Sequence, residues 1–342
     1  QLSYATNLTP YDSLISKYDI DYDSVKIDEV FSIIDKEIIP KYKNIQKIKS
    51  PFIYKSDISD AKIIKEIKIK LQQLNFDFDR GRIDQSHHPF CGGATNDVRI
   101  TTRFEENILE SLSALFHETG HGVYEQNRPI QYLYEPLGQS RSLSVHESQS
   151  LFFENHIFKS QTYFKIINTI FDNSKDLEKS FLEHYHTVRI NPIRVSADEF
   201  SYPIHVFIRY QIEKEIFKNK IKFKDIKDLW NKKYLDHLEI DLISDSEGVL
   251  QDIHWYEGIF GYFPTYALGA MIASQIKYNC PSFDIFLKNP DEENIKQLII
   301  WLNNNIHQKA SLYSSDEMLQ SISGEKLNSK YYLEHLVGRF VK

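Results

Sequence analysis

Leu115-Phe116-His117-Glu118-Thr119-Gly120-His121-Gly122-Val123-Tyr124-Glu125 is the stretch on which the fold turns. It contains H-E-x-x-H. Residues four apart on a helix lie one turn above one another, so His117 and His121 can reach one metal ion while Glu118, one step round, faces a water on that ion. The pattern fixes only three positions, and by itself it also describes a solvated helix face. Its flanks argue for a helix. Glu105 and Glu106 stand at the start, Ile108, Leu109, Leu112, Leu115, Phe116 and Val123 recur at helical spacing, and Pro129 marks a stop. Gly120 and Gly122 inside that helix should each cost about 1 kcal/mol relative to alanine, which points to close packing of a neighbouring backbone.

A catalytic zinc takes three protein ligands and keeps one position open, so a third ligand is needed. The segment Ser144-Val145-His146-Glu147-Ser148-Gln149-Ser150 begins another helical pattern, on which Leu143, Glu147, Leu151, Glu154 and Phe158 share a face. Glu147 is the preferred ligand, with His146, Glu154 and Glu125 as competitors and a surface carboxylate as the bland alternative.

Outward from this centre, the segments Ser24–Lys41, Asp60–Leu74, Glu105–Gln126, Leu143–Lys159, Gln161–Tyr185, Pro203–Lys218, Tyr262–Tyr278 and Glu292–Gln308 carry apolar residues at intervals of three and four. The chain reads as mainly α, with at most a small β element near residues 80–102. There Gly81, Pro89, Gly92 and Gly93 punctuate a loop, and Asp97-Val98-Arg99-Ile100-Thr101-Thr102 alternates polar with apolar. With no repeat, low-complexity tract or Gly/Ser linker, a single domain over 1–342 is expected.

The 342 residues are 41% hydrophobic and 13% aromatic, ample for a sizeable core. The net charge, 41 − 48 = −7, offers no basic face to nucleic acid or an anionic membrane, and no apolar run is long enough to span a bilayer. Cys91 and Cys280 are too few for a disulfide framework or a thiolate zinc site, which favours a reducing, cytoplasmic setting. The chain opens on Gln1, read as the loss of part of a natural amino terminus.

Several separated motifs resemble the M32 metallocarboxypeptidases, the carboxypeptidase Taq type. They are His88-Pro89-Phe90, Asp97 to Arg103, the His117–His121 helix, His146 to Ser150, Ile193-Arg194-Val195-Ser196-Ala197-Asp198, Gly248 to Trp255, and Gly261-Tyr262-Phe263-Pro264-Thr265-Tyr266. They follow the family's order from about Tyr11 onward. The resemblance implies a helical zinc peptidase fold similar to neurolysin and angiotensin-converting enzyme, with a deep groove and commonly a homodimer. It also implies one Zn²⁺, or Co²⁺, held by His117, His121 and Glu147, with Glu118 as general base and peptides as substrates cut one residue at a time from the carboxy end.

Family members carry more than a hundred further amino-terminal residues that roof the groove, and Leu151 and Phe153 stand where the family has arginine and tryptophan; the second departure is expected to affect packing more than ligation.

The proposed chemistry has zinc lower the pKa of water while Glu118 takes its proton and returns it to the leaving amine. The developing oxyanion needs a fixed donor, and losing one typically costs about 2.7–4 kcal/mol. In the similar neurolysin-type peptidases a histidine and a tyrosine twelve apart serve. His254 and Tyr266 have that spacing, and Tyr262 is the fallback.

An exopeptidase must also bind a free carboxylate, which suits the planar fork of arginine. Arg194 is the first candidate. Arg99 and Arg103 are weaker ones that could instead pair with Asp97 or Glu105. Asp198 and Asp252 are candidate acceptors behind ligand histidines.

Two other readings compete. One is a catalytically impaired peptide-binding relative lacking the amino-terminal roof. The other is a di-iron carboxylate oxidoreductase built on the two E-x-x-H segments Glu118–His121 and Glu183–His186.

Overall fold

The computed structural model describes residues 2–86, 89–103 and 107–341. His88, Glu105 and Glu106, used in the sequence reading, lie outside the described residues. The chain divides into two compact units. One comprises the residues up to Pro51, His184–Met271 and those from Asn328 on; the other comprises Phe52–Glu183 and Ile272–Leu327.

The second unit is built on the helix Ile108–Gln126, capped by Asn107, whose side chain accepts from the Leu109 amide. Leu109, Leu112, Leu115, Phe116 and Val123 are completely buried on it, as the period required. The next helix, Leu143–Leu151, starts at Ser142, whose hydroxyl accepts from the Val145 amide, and runs directly into a π-helical turn, Phe152–Phe158. Phe116 stacks on Phe158 at 4.8 Å and Phe152 meets Phe283 edge-on. Phe153, one of the two departures from the family pattern, is fully buried.

Gly120 is where these helices touch. A Cβ there would stand 2.4 Å from the Gln149 carbonyl oxygen and 2.7 Å from Ser150 Cα, so the expected backbone approach is present. Gly122 meets side chains instead, Phe76 and Ile100.

The expected β element is a three-stranded sheet in the order β2-β4-β3, with β2 Gly81–Gln85, β3 Cys91–Ala94 and β4 Asp97–Thr102. β3 and β4 form a hairpin whose register pairs Ala94 with Asp97 and Cys91 with Ile100, while β2 runs parallel to β4. Val98 and Ile100 are buried and Asp97 and Arg99 exposed, the alternation expected of one covered face. Gly93 is required: its φ is +104°, and a Cβ would fall 2.0 Å from the Asp97 carbonyl oxygen.

One expected element is split. Gln161–Tyr185 is not a single helix: Gln161–Asn168 ends through a 3₁₀ turn at Asp172 and Asn173, both left-handed, before Lys175–Tyr185. Asp and Asn tolerate that conformation, so they act as the stop.

The first unit packs the helices Pro10–Ile15, Ser24–Ile33, Ile39–Asn44, Tyr202–Phe217, Ile226–Leu238 and Lys330–Phe340. A π turn, Ile34–Ile38, joins the second and third of these, so the predicted Ser24–Lys41 helix is continuous in outline. Ile27, Phe31, Ile34 and Ile38 are fully buried, with Phe31 edge-on to Tyr210 at 5.4 Å. A two-residue parallel pair, β1 Lys47–Ile48 with β5 Val188–Arg189, has no counterpart in the sequence expectation.

Candidate metal centre

His117 and His121 lie on consecutive turns of Ile108–Gln126, and Glu147 on Leu143–Leu151. One ligand atom from each of the three falls within 4.8 Å of the others. Glu147 Oε2 is 3.5 Å from His121 Nε2 and 3.8 Å from His117 Nε2. Two imidazoles and a carboxylate are a donor set that suits a catalytic zinc, and the Gly120 contact is what draws the two helices together at this depth.

The three competitors for the third position have other partners. Glu154 lies behind His117: Nδ1–H donates to Glu154 Oε2 at 2.8 Å, which leaves Nε2 to face Glu147. The other oxygen, Oε1, accepts from Ser113 Oγ and Lys159 Nζ, both at 2.7 Å. Ser113 and His117 are one turn apart, and the π turn carries Glu154, so a widened helix and a regular one meet at this hydrogen bond. His146 and Glu125 bond each other, Nε2 to Oε1 at 2.9 Å, and Arg128 holds Glu125 at 2.7 Å. The His146 ring stacks on His121 at 4.5 Å.

The electrostatics follow from burial and these partners. Burial works against a charge on His117, yet Glu147 and Glu154 outweigh it and raise its pKa to about 10. Burial, with help from His146, lowers His121 to about 4. Glu147 is lowered: burial opposes its charge, and His117 and His121 overcome it. Glu118, 8% exposed beside the ligands, is raised to about 7, first by burial, with His117 pulling down and Glu147 and Glu154 pushing up. Cys91 on β3 is raised by burial and by the charges of Glu118 and Glu125, which puts the hairpin beside the general-base candidate.

The first unit holds a second cluster. His254 Nε2 and the Tyr266 hydroxyl share a hydrogen bond of 3.1 Å, and the His254 ring lies on Phe263 at 4.4 Å. Burial and the neighbouring Arg194 lower His254 to about 4, so it is neutral. Tyr262 lies 5.2 Å from Tyr266, ring to ring. Arg194, 5% exposed, donates from Nε and Nη2 to Asp252 Oδ1 and from Nη1 to the Tyr202 hydroxyl, with its guanidinium over the Tyr266 ring.

Arg99 is exposed on β4 and forks onto Asp97, the pairing held open in the sequence reading.

Asp198 and Asp252 do not serve as the acceptor behind His117, which is Glu154. Asp198 accepts from the Arg189, Phe200 and Ser201 amides, and Asp252 lies between Arg194 and Arg209. Glu183, of the second E-x-x-H segment, accepts from the Phe52 amide. Among the described residues His117, His121 and Glu147 form the one group with metal-ligand geometry. Glu154 could have been found from the sequence, since it lies seven residues past Glu147 on the same face.

The sequence profile described as carboxypeptidase Taq (M32) metallopeptidase matches residues 1–340. The chain is 36% identical to carboxypeptidase 1 of Bacillus subtilis, over 97% of this chain and 68% of that protein. It is 30% identical to thermostable carboxypeptidase 1 of Pyrococcus furiosus, over 97% and 69%. Among solved structures, Trypanosoma cruzi metallocarboxypeptidase 1 superposes with a TM-score of 0.89 at 32% identity, over 99% of this chain and 74% of that one. The M32 carboxypeptidase from Deinococcus radiodurans gives 0.88 at 29% identity, over 98% and 70%. No described helix is long and apolar enough to cross a membrane. The chain therefore belongs to the carboxypeptidase Taq (M32) metallopeptidase family.

Proposed function

We propose that this chain, its two units acting as one catalytic domain, releases single residues from the carboxy end of peptides with one zinc ion held by His117, His121 and Glu147. The observation that carries the reading is the convergence of those three side chains beside Glu118 in a member of this family. A bound ion supplies Lewis acidity and acidifies water. Glu118 takes the proton of the attacking water and gives it to the leaving amine, and its burial makes the carboxylate a stronger base for the first transfer. Tyr266 donates to the developing oxyanion and His254 positions it. The hydrogen on His254 Nε2 is donated to the tyrosine oxygen, which orients that hydroxyl.

Arg194 binds the substrate carboxylate with the Nη1 and Nη2 hydrogens beyond those given to Tyr202 and Asp252, with Tyr262 alongside. Arg99, forked onto Asp97, is the lesser candidate. The same reading carries cobalt as an alternative ion, a homodimer, and a cytoplasmic location consistent with two free cysteines.

The test is metal analysis alongside timed mass spectrometry of a peptide digest. A ladder of carboxy-terminal losses that disappears with a chelator is expected. Internal cleavage would overturn the assignment of Arg194, and metal-independent hydrolysis would overturn the whole reading.

A further inference from the structure

The helix Tyr202–Phe217 presents Arg209 and Glu213 one turn apart on one face, and both are completely buried. Burying an opposite pair of charges on one helix costs stability unless each is fully partnered, so their partners carry information. Arg209 donates from Nε to Asp252 Oδ2 at 2.6 Å and from Nη2 to Gln251 Oε1 at 2.7 Å. Glu213 accepts the Trp255 indole N–H on Oε1 at 2.7 Å. On Oε2 it accepts the Gly261 amide at 3.0 Å and the Tyr11 hydroxyl at 2.8 Å. The anchored residues therefore sit at 251, 252, 255 and 261, on both sides of His254. Within that loop the Ile259 amide bonds back to the His254 carbonyl at 2.7 Å. Gly261 leaves it at φ +83°, against the backbone of Leu14 and Ile15, where no Cβ would fit.

We propose that Glu213, with Arg209 one turn earlier, is a positioning residue: the pair forms a two-point clamp that sets the height and orientation of the His254 loop and so holds the His254–Tyr266 hydrogen bond in register. This rests on the assignment of His254 and Tyr266 given above. All three partners of Glu213 are donors, so glutamine cannot replace it: its amide would face either the Trp255 N–H or the Gly261 N–H.

The experiment has two arms on the metal-loaded full chain. Hydrogen–deuterium exchange should show the Gly261 amide and its neighbours in 251–261 exchanging at least tenfold faster in Glu213→Gln, with the helix Ile108–Gln126 unchanged. In steady-state kinetics, kcat should fall tenfold or more with KM and metal content unchanged. On a His254→Ala background the same substitution should cost less than twofold, because the clamp acts through that histidine. Should Glu213→Gln not fold, Trp255→Phe removes one anchor point and should show the same pattern at about threefold or more.

Unchanged exchange at Gly261, or losses that multiply on the His254→Ala background, would overturn the clamp. A wild-type chain that releases no terminal residue while the variants still loosen 251–261 would overturn the functional reading and leave the clamp standing.

Discussion

Replacing Gly120 by alanine sets two effects of opposite sign against each other. In a helix interior, glycine to alanine stabilises by about 1 kcal/mol where the methyl has room. Here the methyl would lie 2.4 Å from the Gln149 carbonyl oxygen, against an ordinary contact of 3.4 Å or more, so Leu143–Leu151 must retreat by about 1 Å. Both close atoms are backbone, and no rotamer change relieves them. Overpacking of this kind costs about 1–3 kcal/mol, which leaves a net loss of about 0–2 kcal/mol.

Gln149 is two residues past Glu147, so the same retreat draws the carboxylate away from His117 and His121. A metal site tolerates errors of only about 0.2 Å, and affinity should fall more than tenfold.

Calorimetry of the metal-free proteins and chelator competition for the ion provide the assay, with two internal standards. Gly338 lies exposed in Lys330–Phe340 with nothing within 4 Å of a Cβ, so Gly338→Ala should stabilise by about 1 kcal/mol. Gly122 meets the Phe76 ring, a side chain that can shift, so Gly122→Ala should fall between the two. If Gly120→Ala raised the thermal midpoint as Gly338→Ala does, with affinity unchanged, the close approach of the two helices would be refuted.

Three further outcomes are expected. Glu154→Gln replaces the acceptor of His117 Nδ1–H and removes the charge partner of Lys159, and should weaken metal binding by about 10–100-fold in chelator competition. Glu118→Gln should abolish the peptide ladder in mass spectrometry with a full complement of metal retained, since it removes the proton carrier and no ligand. Metal affinity should rise with pH by about tenfold per unit between pH 7 and 9, measured by calorimetric titration. In the metal-free protein His117 is protonated below about 10 and must lose that proton to ligate, whereas His121, at about 4, is already neutral and Glu147 already ionised.

The helices and the ligand pair were legible because their signals are local. Leu109, Leu112, Phe116 and Val123 mark one face at a period of 3.6, and His117 and His121 share another. Glu147 was harder, because on its own helix Glu154 occupies the same face. What separates their roles is the docking of that helix at Gly120 and the π turn that follows, and both are tertiary events with no spacing to read. The break at Asp172 and Asn173 was available as turn chemistry, but the apolar period continued through it. The parallel pairings of β2 with β4 and of β1 with β5 were beyond reach, since register between distant strands depends on where the helices carry them. Arg194 illustrates a different gap: its residue type suggested anion recognition, and only the fold brings Asp252 against it.

The three candidate ligands fall between positions 117 and 147, a short span of an otherwise long-range architecture. Closing a loop of this length has a small entropic cost. Translation adds about 5–20 residues per second, so a growing polypeptide holds the complete donor set well before His254 or Tyr266 has been made.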